Sequence, residues 1–308
     1  MRNRFAEVFF ELAQNDDRLC LLVADISPAG SIEKFRKNYP ARFINTGVAE
    51  QIMIGMSAGM AQRGLRPFAY TIATFALYRT YEFIRNDLAY QNLPVTVVGI
   101  GGGITYSTLG ATHHAQEDIA VASTIPGLRI IAPSDPAETE AATRWCAVQQ
   151  DGPVYLRLGK AGEPDLTSHL KTPWTFGKWR QVLAGSDLAI ITYGTIAAQC
   201  VKAVHMVQER GLFPSLYFAA TIEPMDFQTI NEIFSQYRNV LIVEEHVGFG
   251  GIGMRLQALG TKLNSRLQID LMSLPNSFSH SYGKHEELLF LNNLDANCIA
   301  QRIERISS

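Results

Sequence analysis

The sequence of 308 residues has little of what marks secreted, membrane or nucleic-acid-binding proteins. Its four cysteines are far apart and show none of the spacings of a metal site or a disulfide framework. No apolar run approaches the roughly 20 residues that cross a bilayer, and the charged start MRNRFAE lacks a signal peptide's apolar region. Lys and Arg number 27 against 29 Asp and Glu, so no charge excess indicates nucleic acid or a membrane as partner. These absences predict a cytoplasmic globular protein.

What the sequence does have is a regular alternation of short apolar segments with longer helical ones. Near-continuous apolar strands separated by helices are typical of parallel sheets covered on both faces. The predicted strands of the first half are residues 19–25, 42–45, 66–72, 94–100, 128–132 and 154–158. The helices predicted between them are residues 48–63, 74–91, 117–124 and 136–149.

Residues 159–186 break this pattern with four glycines, two prolines and no clear period. We therefore expect two α/β domains, over residues 1–160 and 187–308, joined by a linker over residues 161–186. The predicted strands of the second domain are residues 187–193, 213–218, 240–244 and 267–272. Its predicted helices are residues 196–210, 251–264 and 286–306.

Glu50 lies in the most informative segment, RFINTGVAEQIMIGMSAGMAQRG at residues 42–64. A strand there is followed by a short turn and an almost wholly apolar helix, and Glu50 falls in the first turn of that helix. A carboxylate in this position suits the helix dipole. Two interpretations are open: a solvated acid at a helix start, or a partly desolvated acid that shares a proton with a ligand.

Two further segments have a structural as well as a functional interpretation. Aromatic residues at Phe75, Tyr78 and Tyr81 form either a buried helix face or a platform for a cofactor. The cluster GIGGGIT at residues 99–105 follows a strand, but Ile104 replaces the third glycine of a G-x-G-x-x-G fingerprint. We therefore expect no nicotinamide site.

Residues 108–118, TLGATHHAQED, place His113 and His114 side by side. Adjacent histidines on a loop point in different directions, and no H-x-x-x-H or C-x-x-C accompanies them, so no metal site is expected. A histidine at the C-terminal edge of a parallel sheet is better placed to contact substrate. Further on, VEEHVGFGGIGMRL at residues 243–256 predicts a glycine-rich turn before a helix, which is either structural or binds an anion.

Together these segments resemble one known family. The motifs are R-F-x-N-x-G-x-A-E-Q, a T-F helix, T-H-x-x-x-E-D and I-A-P-S-D, then D-L-A-I-I-T-Y-G and V-E-E-H with a G-G-I-G turn. They resemble the pyrimidine-binding and C-terminal domains of transketolases, including deoxyxylulose-phosphate synthases and split two-subunit forms. The resemblance covers essentially the whole chain and implies an α/β fold of two parallel-sheet domains.

That family uses thiamine diphosphate, and the resemblance implies which residues meet it. The family's glutamate falls on Glu50, where it hydrogen-bonds N1′ of the aminopyrimidine and so promotes loss of the thiazolium C2 proton. Aromatic residues that cover the pyrimidine carry over to Phe75 and Tyr78, and Ile104 joins the cofactor contacts. His113 matches a histidine that faces cofactor or substrate. The cofactor serves as electron sink for a two-carbon carbanion.

The family's diphosphate and Mg²⁺ site is a G-D-G motif followed by an Asn, and this sequence contains no G-D-G. No metal ligand is therefore expected in this chain. Two alternatives are open: the chain binds no thiamine diphosphate at all, or it has the partner that the resemblance implies, an N-terminal transketolase subunit that carries the motif and holds Mg²⁺. The resemblance also implies self-association of this chain into a dimer, which gives an α2β2 heterotetramer.

The resemblance places five residues at the substrate: Ser31, Arg79, Leu109, His113 and Lys160. Leu109 stands where transketolases have an aspartate near the sugar hydroxyls, and Gly101 where most have a histidine. Lys160 replaces a phosphate-binding arginine and loses its bidentate geometry, for which Arg79 and Arg157 could compensate. We therefore expect a sugar-type substrate other than the ordinary pentose phosphates, or a 2-oxo acid donor.

Three functions remain open at this point. The first is the C-terminal subunit of a split transketolase-like enzyme that transfers a two-carbon ketol unit between sugar-type substrates. The second is the β-subunit of a 2-oxo acid dehydrogenase or a similar decarboxylase, and the third is a catalytically silent scaffold. The T-H-x-x-x-E-D loop favours the first over the second, and the acid at Glu50 argues against the third.

Overall fold

The structure, a computed structural model, describes residues 1–26, 30–263 and 267–307. The strands are β1 (Leu19–Val23), β2 (Phe43–Asn45), β3 (Arg66–Ile72), β4 (Thr96–Ile100), β5 (Arg129–Ile131), β6 (Val154–Leu158), β7 (Arg180–Leu183), β8 (Ala189–Thr192), β9 (Ser215–Phe218), β10 (Thr221–Glu223), β11 (Asn239–Val247) and β12 (Gln268–Leu274). The helices are α1 (Arg2–Ala13), α2 (Ser31–Asn38), α3 (Glu50–Gln62), α4 (Ala73–Leu77), α5 (Tyr81–Phe83), α6 (Asp118–Ser123), α7 (Pro136–Val148), α8 (Ala197–Gln208), α9 (Phe227–Gln236), α10 (Ile252–Leu263), α11 (His285–Leu291) and α12 (Ala296–Ser307). Within these ranges no helix is both long and apolar enough to cross a membrane.

Seven strands form the first sheet, in the order β10-β5-β6-β4-β3-β1-β2. β1 to β6 pair with one another in parallel. All residues of β1, β4 and β6 are buried, as expected of strands with helices on both faces of the sheet. β10 pairs antiparallel with β5 at the edge, although it follows β9 in the sequence. The first sheet therefore binds the two halves of the chain together.

The second sheet has five strands in the order β12-β11-β8-β9-β7. Its pairings are parallel except that β7 runs antiparallel to β9 at the edge. α8 and α12 pack together, and their apolar residues form one core with those of β8 and β11. The prediction of two parallel-sheet α/β domains is confirmed, with an antiparallel strand added at one edge of each sheet.

Local sequence explains where several elements begin or end. Asp135 Oδ1 accepts a hydrogen bond from the Glu138 backbone N–H at 2.7 Å, and Pro136 takes the first position of α7. The helix predicted over residues 286–306 is instead two helices, because Asn293 adopts a positive φ of 56° between α11 and α12. α1, α2, α9 and β10 have no counterpart among the predicted elements.

The helix predicted over residues 74–91 is interrupted. α4 ends at Leu77, α5 has three residues, and a π-helical segment covers Ile84–Ala89. Thr80 donates its hydroxyl hydrogen to the carbonyl of Ala76, a local bond that competes with regular helix geometry. Residues 161–186, predicted as a linker, contain β7, and the domain boundaries given above remain predictions.

Two consecutive residues of β11, Glu245 and His246, join the second domain to the first. The carboxylate of Glu245 accepts hydrogen bonds from the Ile104 backbone N–H and the Thr195 hydroxyl, both at 2.7 Å. The same carboxylate pairs with Nε2 of His285 at 2.9 Å. Next to it, Nε2 of His246 accepts from the Ala120 backbone N–H at 3.2 Å. The loop after β4 and the start of α6 are thus both bonded to β11.

Glu244 closes the glycine-rich turn that follows β11. Its carboxylate accepts from the backbone N–H groups of Ile252 and Gly253 at 3.1 and 3.3 Å, and from the Tyr193 hydroxyl at 2.8 Å. An ideal Cβ on Gly251 would lie 2.6 Å from this carboxylate. A side chain of the protein therefore occupies the N-terminus of α10, which favours the structural interpretation of this turn over anion binding.

The burial of Glu244 makes stability depend on pH. Burial raises the pKa of Glu244 from its ordinary value of 4.5 to about 7. The hydrogen bonds from Tyr193 and the two backbone amides lower the pKa, but by less than burial raises it. The folded protein therefore holds a proton that the unfolded chain has already released between these values. The stabilising contribution of this proton is complete below pH 4.5 and is lost as the pH rises through 7.

We expect the free energy of unfolding to fall between pH 5 and pH 8 by about 2–3 kcal/mol more in the wild type than in Glu244→Gln. Gln cannot ionise, so the variant lacks this part of the slope. Urea unfolding at a series of pH values measures the difference. Parallel pH profiles for the two proteins would show that Glu244 is ionised in the folded state across this range.

Candidate active site

Glu50 is the first residue of α3 and is 2% exposed. The turn before it is held by Asn45, whose Oδ1 accepts from the backbone N–H groups of Gly47 and Asp25, both at 3.0 Å. Gly47 adopts a φ of 71°, which a glycine tolerates without strain. Because the carboxylate is buried, the interpretation of Glu50 as a solvated helix-end acid is wrong.

Arg79 lies in the break between α4 and α5 and meets this carboxylate. Its Nη1 donates to Oε2 of Glu50 at 3.1 Å and approaches Oε1 at 3.3 Å. The guanidinium also lies over the ring of Phe75, 4.5 Å from its centroid, a cation–π geometry. The sequence placed Arg79 at the substrate, whereas in the structure it pairs with the acid expected to serve the cofactor.

His113 lies between two aromatic rings. Its ring packs edge-on against Phe75 at 5.3 Å and lies 6.2 Å from the ring of Tyr106, centroid to centroid. Its Nδ1 is 2.9 Å from the hydroxyl of Thr112. Burial lowers the pKa of His113, so the neutral imidazole is favoured. The structure therefore brings His113 and Phe75 together, as their assignment to one site requires.

Tyr78 is fixed by Glu117. Its hydroxyl donates to Oε2 of Glu117 at 2.9 Å and accepts from the Glu117 backbone N–H at 3.2 Å. Burial raises the pKa of Tyr78 far above its ordinary value, with Asp118 and Glu117 acting in the same direction. The phenol stays protonated at all physiological pH values, and Tyr78 can serve as a rigid aromatic wall.

A cavity of about 270 Å³ lies beside these residues. Phe75, Tyr78 and Arg79 line it together with the buried His114, and Phe278 is its lining residue from the second domain. Both ring nitrogens of His114 have no hydrogen-bond partner among the described residues. Sequence reasoning favoured His113, but two adjacent histidines point in different directions, and here the second one faces the cavity.

The other predicted substrate positions are spread around this region. Leu109 is 47% exposed, and the Lys160 ammonium lies over the ring of Tyr106, 5.2 Å from its centroid. An ideal Cβ on Gly101 would lie 2.1 Å from that same ring, so Tyr106 fills the space that a histidine would need. The side chain of Ser31 lies outside the described part of the chain.

Ile104 lies apart from Phe75 and Tyr78. It is 1% exposed, its backbone N–H donates to Glu245, and its side chain belongs to the core of the second domain. It lines a second cavity, also of about 270 Å³, which shares Gln116 with the first. Its assignment to the cofactor remains a prediction that the first cavity does not support.

Arg157 cannot compensate for a lost substrate cation, because it is buried and already paired. Its Nε donates to Oδ2 of Asp118 at 2.8 Å, an oxygen that also accepts from the Tyr155 hydroxyl at 2.8 Å. Its Nη2 donates to the backbone carbonyl of Glu245 at 3.1 Å. Arg157 thus holds the end of the histidine loop against the second domain.

The arrangement combines a buried carboxylate, two aromatic walls and uncharged buried groups. The unpartnered ring nitrogens of His114 and the unpartnered hydroxyl of Thr74 face the cavity, and such groups fit a planar ligand rich in hydrogen-bonding atoms. These residues fit an aminopyrimidine ring. Across the described ranges, no group of three His, Cys, Asp or Glu side chains is placed to hold a metal ion.

Both halves of the chain are similar to known protein domains. Residues 1–162 match the family model of the transketolase pyrimidine-binding domain, and residues 177–296 match that of the transketolase C-terminal domain. One of the subunits of apulose-4-phosphate transketolase from Phocaeicola vulgatus is 34% identical, over 82% of this chain and 80% of that protein. The putative transketolase C-terminal section of Methanocaldococcus jannaschii is 35% identical, over 98% of this chain and 95% of that protein.

A solved structure described as a split gene transketolase, inactive beta4 tetramer, superimposes with a TM-score of 0.89 at 29% identity. It covers 99% of this chain, which in turn covers 97% of that one. These matches confirm the resemblance noted in the sequence motifs. The chain belongs to the transketolase family, as a C-terminal subunit made of the pyrimidine-binding and C-terminal domains.

Proposed function

We propose that this chain is one half of a thiamine-diphosphate-dependent enzyme that transfers a two-carbon ketol unit between sugar-type substrates. The observation that carries the proposal is the carboxylate of Glu50, which is buried at the start of α3. It is bonded to Arg79, whose guanidinium lies over the ring of Phe75. Similarity to a subunit of apulose-4-phosphate transketolase and to a transketolase C-terminal section supports a two-subunit enzyme over the decarboxylase and scaffold alternatives.

Thiamine diphosphate supplies the electron sink that transfer of a two-carbon unit needs. In the proposed complex, Glu50 holds at its carboxylate the proton shared with N1′ of the aminopyrimidine. Its burial excludes water from this carboxylate. Phe75 and Tyr78 bind the faces of the ring, and the bond from Tyr78 to Glu117 fixes one of these walls. His113 contacts the cofactor or the substrate as a neutral imidazole.

The diphosphate and Mg²⁺ fall, in this proposal, to an N-terminal subunit with the G-D-G motif. Apolar side chains are exposed on α3 and on the turn before it, which supports a face that a partner covers. They lie four residues apart, and their exposed fractions are 71% for Val48, 56% for Ile52 and 39% for Met56. These apolar side chains flank Glu50. We propose that they are covered in an α2β2 assembly, and the inactive beta4 tetramer of the related split transketolase supports self-association without its partner.

The proposed substrate is a sugar-type molecule other than the ordinary pentose phosphates. The apolar, half-exposed Leu109 and the closed space at Gly101 support a pocket with fewer polar contacts. The Lys160 ammonium lies over the ring of Tyr106, and Arg157 is paired with Asp118. The pocket therefore offers a substrate phosphate less positive charge than a free arginine would. A site that lacks a polar contact discriminates poorly for the group that contact would bind.

The first test is cofactor binding by the lone chain and by the assembly. Because most of the charge of thiamine diphosphate resides on its diphosphate and Mg²⁺, the lone chain should bind it weakly and show no transferase activity. Calorimetric titration with cofactor and Mg²⁺, with and without the partner subunit, measures both affinities. Equal affinity in the two titrations would contradict a site divided between subunits.

The second test is Glu50→Gln in the assembly. Gln keeps the size of the side chain but cannot hold the shared proton, so kcat should fall by roughly 10²–10⁴-fold with little change in thermal stability. Exchange of the C2 proton of the bound cofactor, followed by NMR, should slow in parallel. Glu209→Gln, on an exposed residue, is the control. Wild-type exchange in Glu50→Gln would remove Glu50 from the mechanism.

The third test concerns the pairing of Glu50 with Arg79. Arg79→Gln leaves a buried carboxylate without its cation and should lower the free energy of unfolding of the lone chain by about 1–2 kcal/mol. Arg36→Gln is the matched control, because Arg36 is 49% exposed against 47% for Arg79, whereas its acid Glu33 is 30% exposed against 3% for Glu50. The control should change by less than about 0.5 kcal/mol. Equal losses would mean that the burial of Glu50 adds nothing to the pair.

A further inference from the structure

Three polar side chains that line the first cavity are buried and without a bonding partner. Thr74, His114 and Gln116 are 5%, 2% and 3% exposed, and all three face that cavity. Among the described residues, the hydroxyl of Thr74 and both ring nitrogens of His114 have no hydrogen-bond partner. The side-chain amide of Gln116 likewise bonds to no residue in the described ranges.

Such a concentration needs an explanation, because an unpartnered buried polar group loses its bonds to water and gains none in return. Elsewhere in the described ranges several buried polar side chains are paired, although single atoms such as the hydroxyl oxygen of Ser134 are not. The Thr167 hydroxyl, on a residue 3% exposed, donates to Oδ2 of Asp135 at 2.8 Å. The buried Tyr193 donates to Glu244 at 2.8 Å. The three unpaired groups share one cavity wall, so one ligand could satisfy them together.

The chemistry of the cluster selects the ligand. A hydroxyl, a carboxamide and an imidazole are uncharged, and each can both donate and accept a hydrogen bond. Burial lowers the pKa of His114, which keeps its imidazole neutral. Glu117 also lines the cavity, and the guanidinium of Arg79 is paired with Glu50, so an anionic group is poorly matched to this wall.

We propose that Thr74, His114 and Gln116 form a neutral hydrogen-bonding subsite beside Phe75 and Tyr78, which binds an uncharged group that both donates and accepts hydrogen bonds. Two sources offer such a group: the amino-substituted edge of the aminopyrimidine and the hydroxyls of the sugar. The inference deepens the proposed function and rests on it. Residues 114 and 116 are open positions of the T-H-x-x-x-E-D motif, so the family resemblance gives them no role.

The first arm of the test needs neither cofactor nor partner subunit. Thr74→Val removes the hydroxyl and keeps the shape, so it should raise the melting temperature of the lone chain by about 1–3 °C. Thr167→Val, the same change at a partnered buried hydroxyl, should lower it. A drop for Thr74→Val like that of Thr167→Val would overturn the subsite and leave the proposed function intact.

The second arm measures binding in the assembly with the partner subunit. His114→Phe and Gln116→Leu should each weaken binding of one ligand by about 5–10-fold, the effect of losing a neutral hydrogen bond. The probes are the Kd of thiamine diphosphate with Mg²⁺ and the KM of apulose 4-phosphate, the sugar in the name of the related transketolase. Thr167→Val, which lies outside the cavity, should change neither.

The outcomes separate the two sources. A higher Kd for the cofactor assigns the subsite to the aminopyrimidine, whereas a higher KM at unchanged Kd assigns it to the sugar. Unchanged Kd and KM in both variants would overturn the proposal and would mean that these side chains bind only water. A wild-type assembly that binds no cofactor would refute the proposed function itself. The first arm uses no cofactor, so its outcome tests the subsite alone.

Discussion

The requirement that a buried charge be paired organises this molecule around Arg157. This arginine is 3% exposed, bonds to the carboxylate of Asp118 through Nε, and reaches the backbone carbonyl of Glu245 through Nη2. Removal of either partner would leave a charge in a region without water, which costs far more than a surface pair gains. Asp118 ends the histidine loop and begins α6, while Glu245 belongs to the second domain. One buried ion pair therefore fixes where the two domains meet and where the loop ends.

The start of the same loop is fixed by Glu245 and explains the glycine cluster after β4. An ideal Cβ on Gly102 would lie 2.6 Å from Nε of Arg157, and one on Gly103 would lie 2.5 Å from Oε1 of Glu245. The glycines make room for two charged side chains. The loop that carries His113 is held at both ends by buried charges, so the second domain shapes the site although its own residues scarcely line it.

Much of this could be predicted from the sequence, because it depends on local pattern. Apolar strands, the turn before Glu50 and the aromatic spacing of Phe75 and Tyr78 are set by nearby residues, and the structure shows all of them. The pairing of Arg79 with Glu50 could not be predicted, because it requires the helix to break after Leu77 and two distant segments to meet. His114 is buried because the loop packs against the second domain. No periodicity in residues 108–118 could have predicted that packing.

The distribution of charge around the site follows from these pairings. Arg157 is committed to Asp118, Arg79 to Glu50, and Lys160 lies against the ring of Tyr106. The first cavity is left with aromatic walls, neutral polar groups and one carboxylate, an environment that suits an uncharged heteroaromatic or hydroxylated group and opposes a diphosphate. In the proposed function, this cavity takes the aminopyrimidine end of the cofactor, and its carboxylate opposes the diphosphate end. The charge pattern of the cavity therefore agrees with the proposal that a second subunit holds the diphosphate.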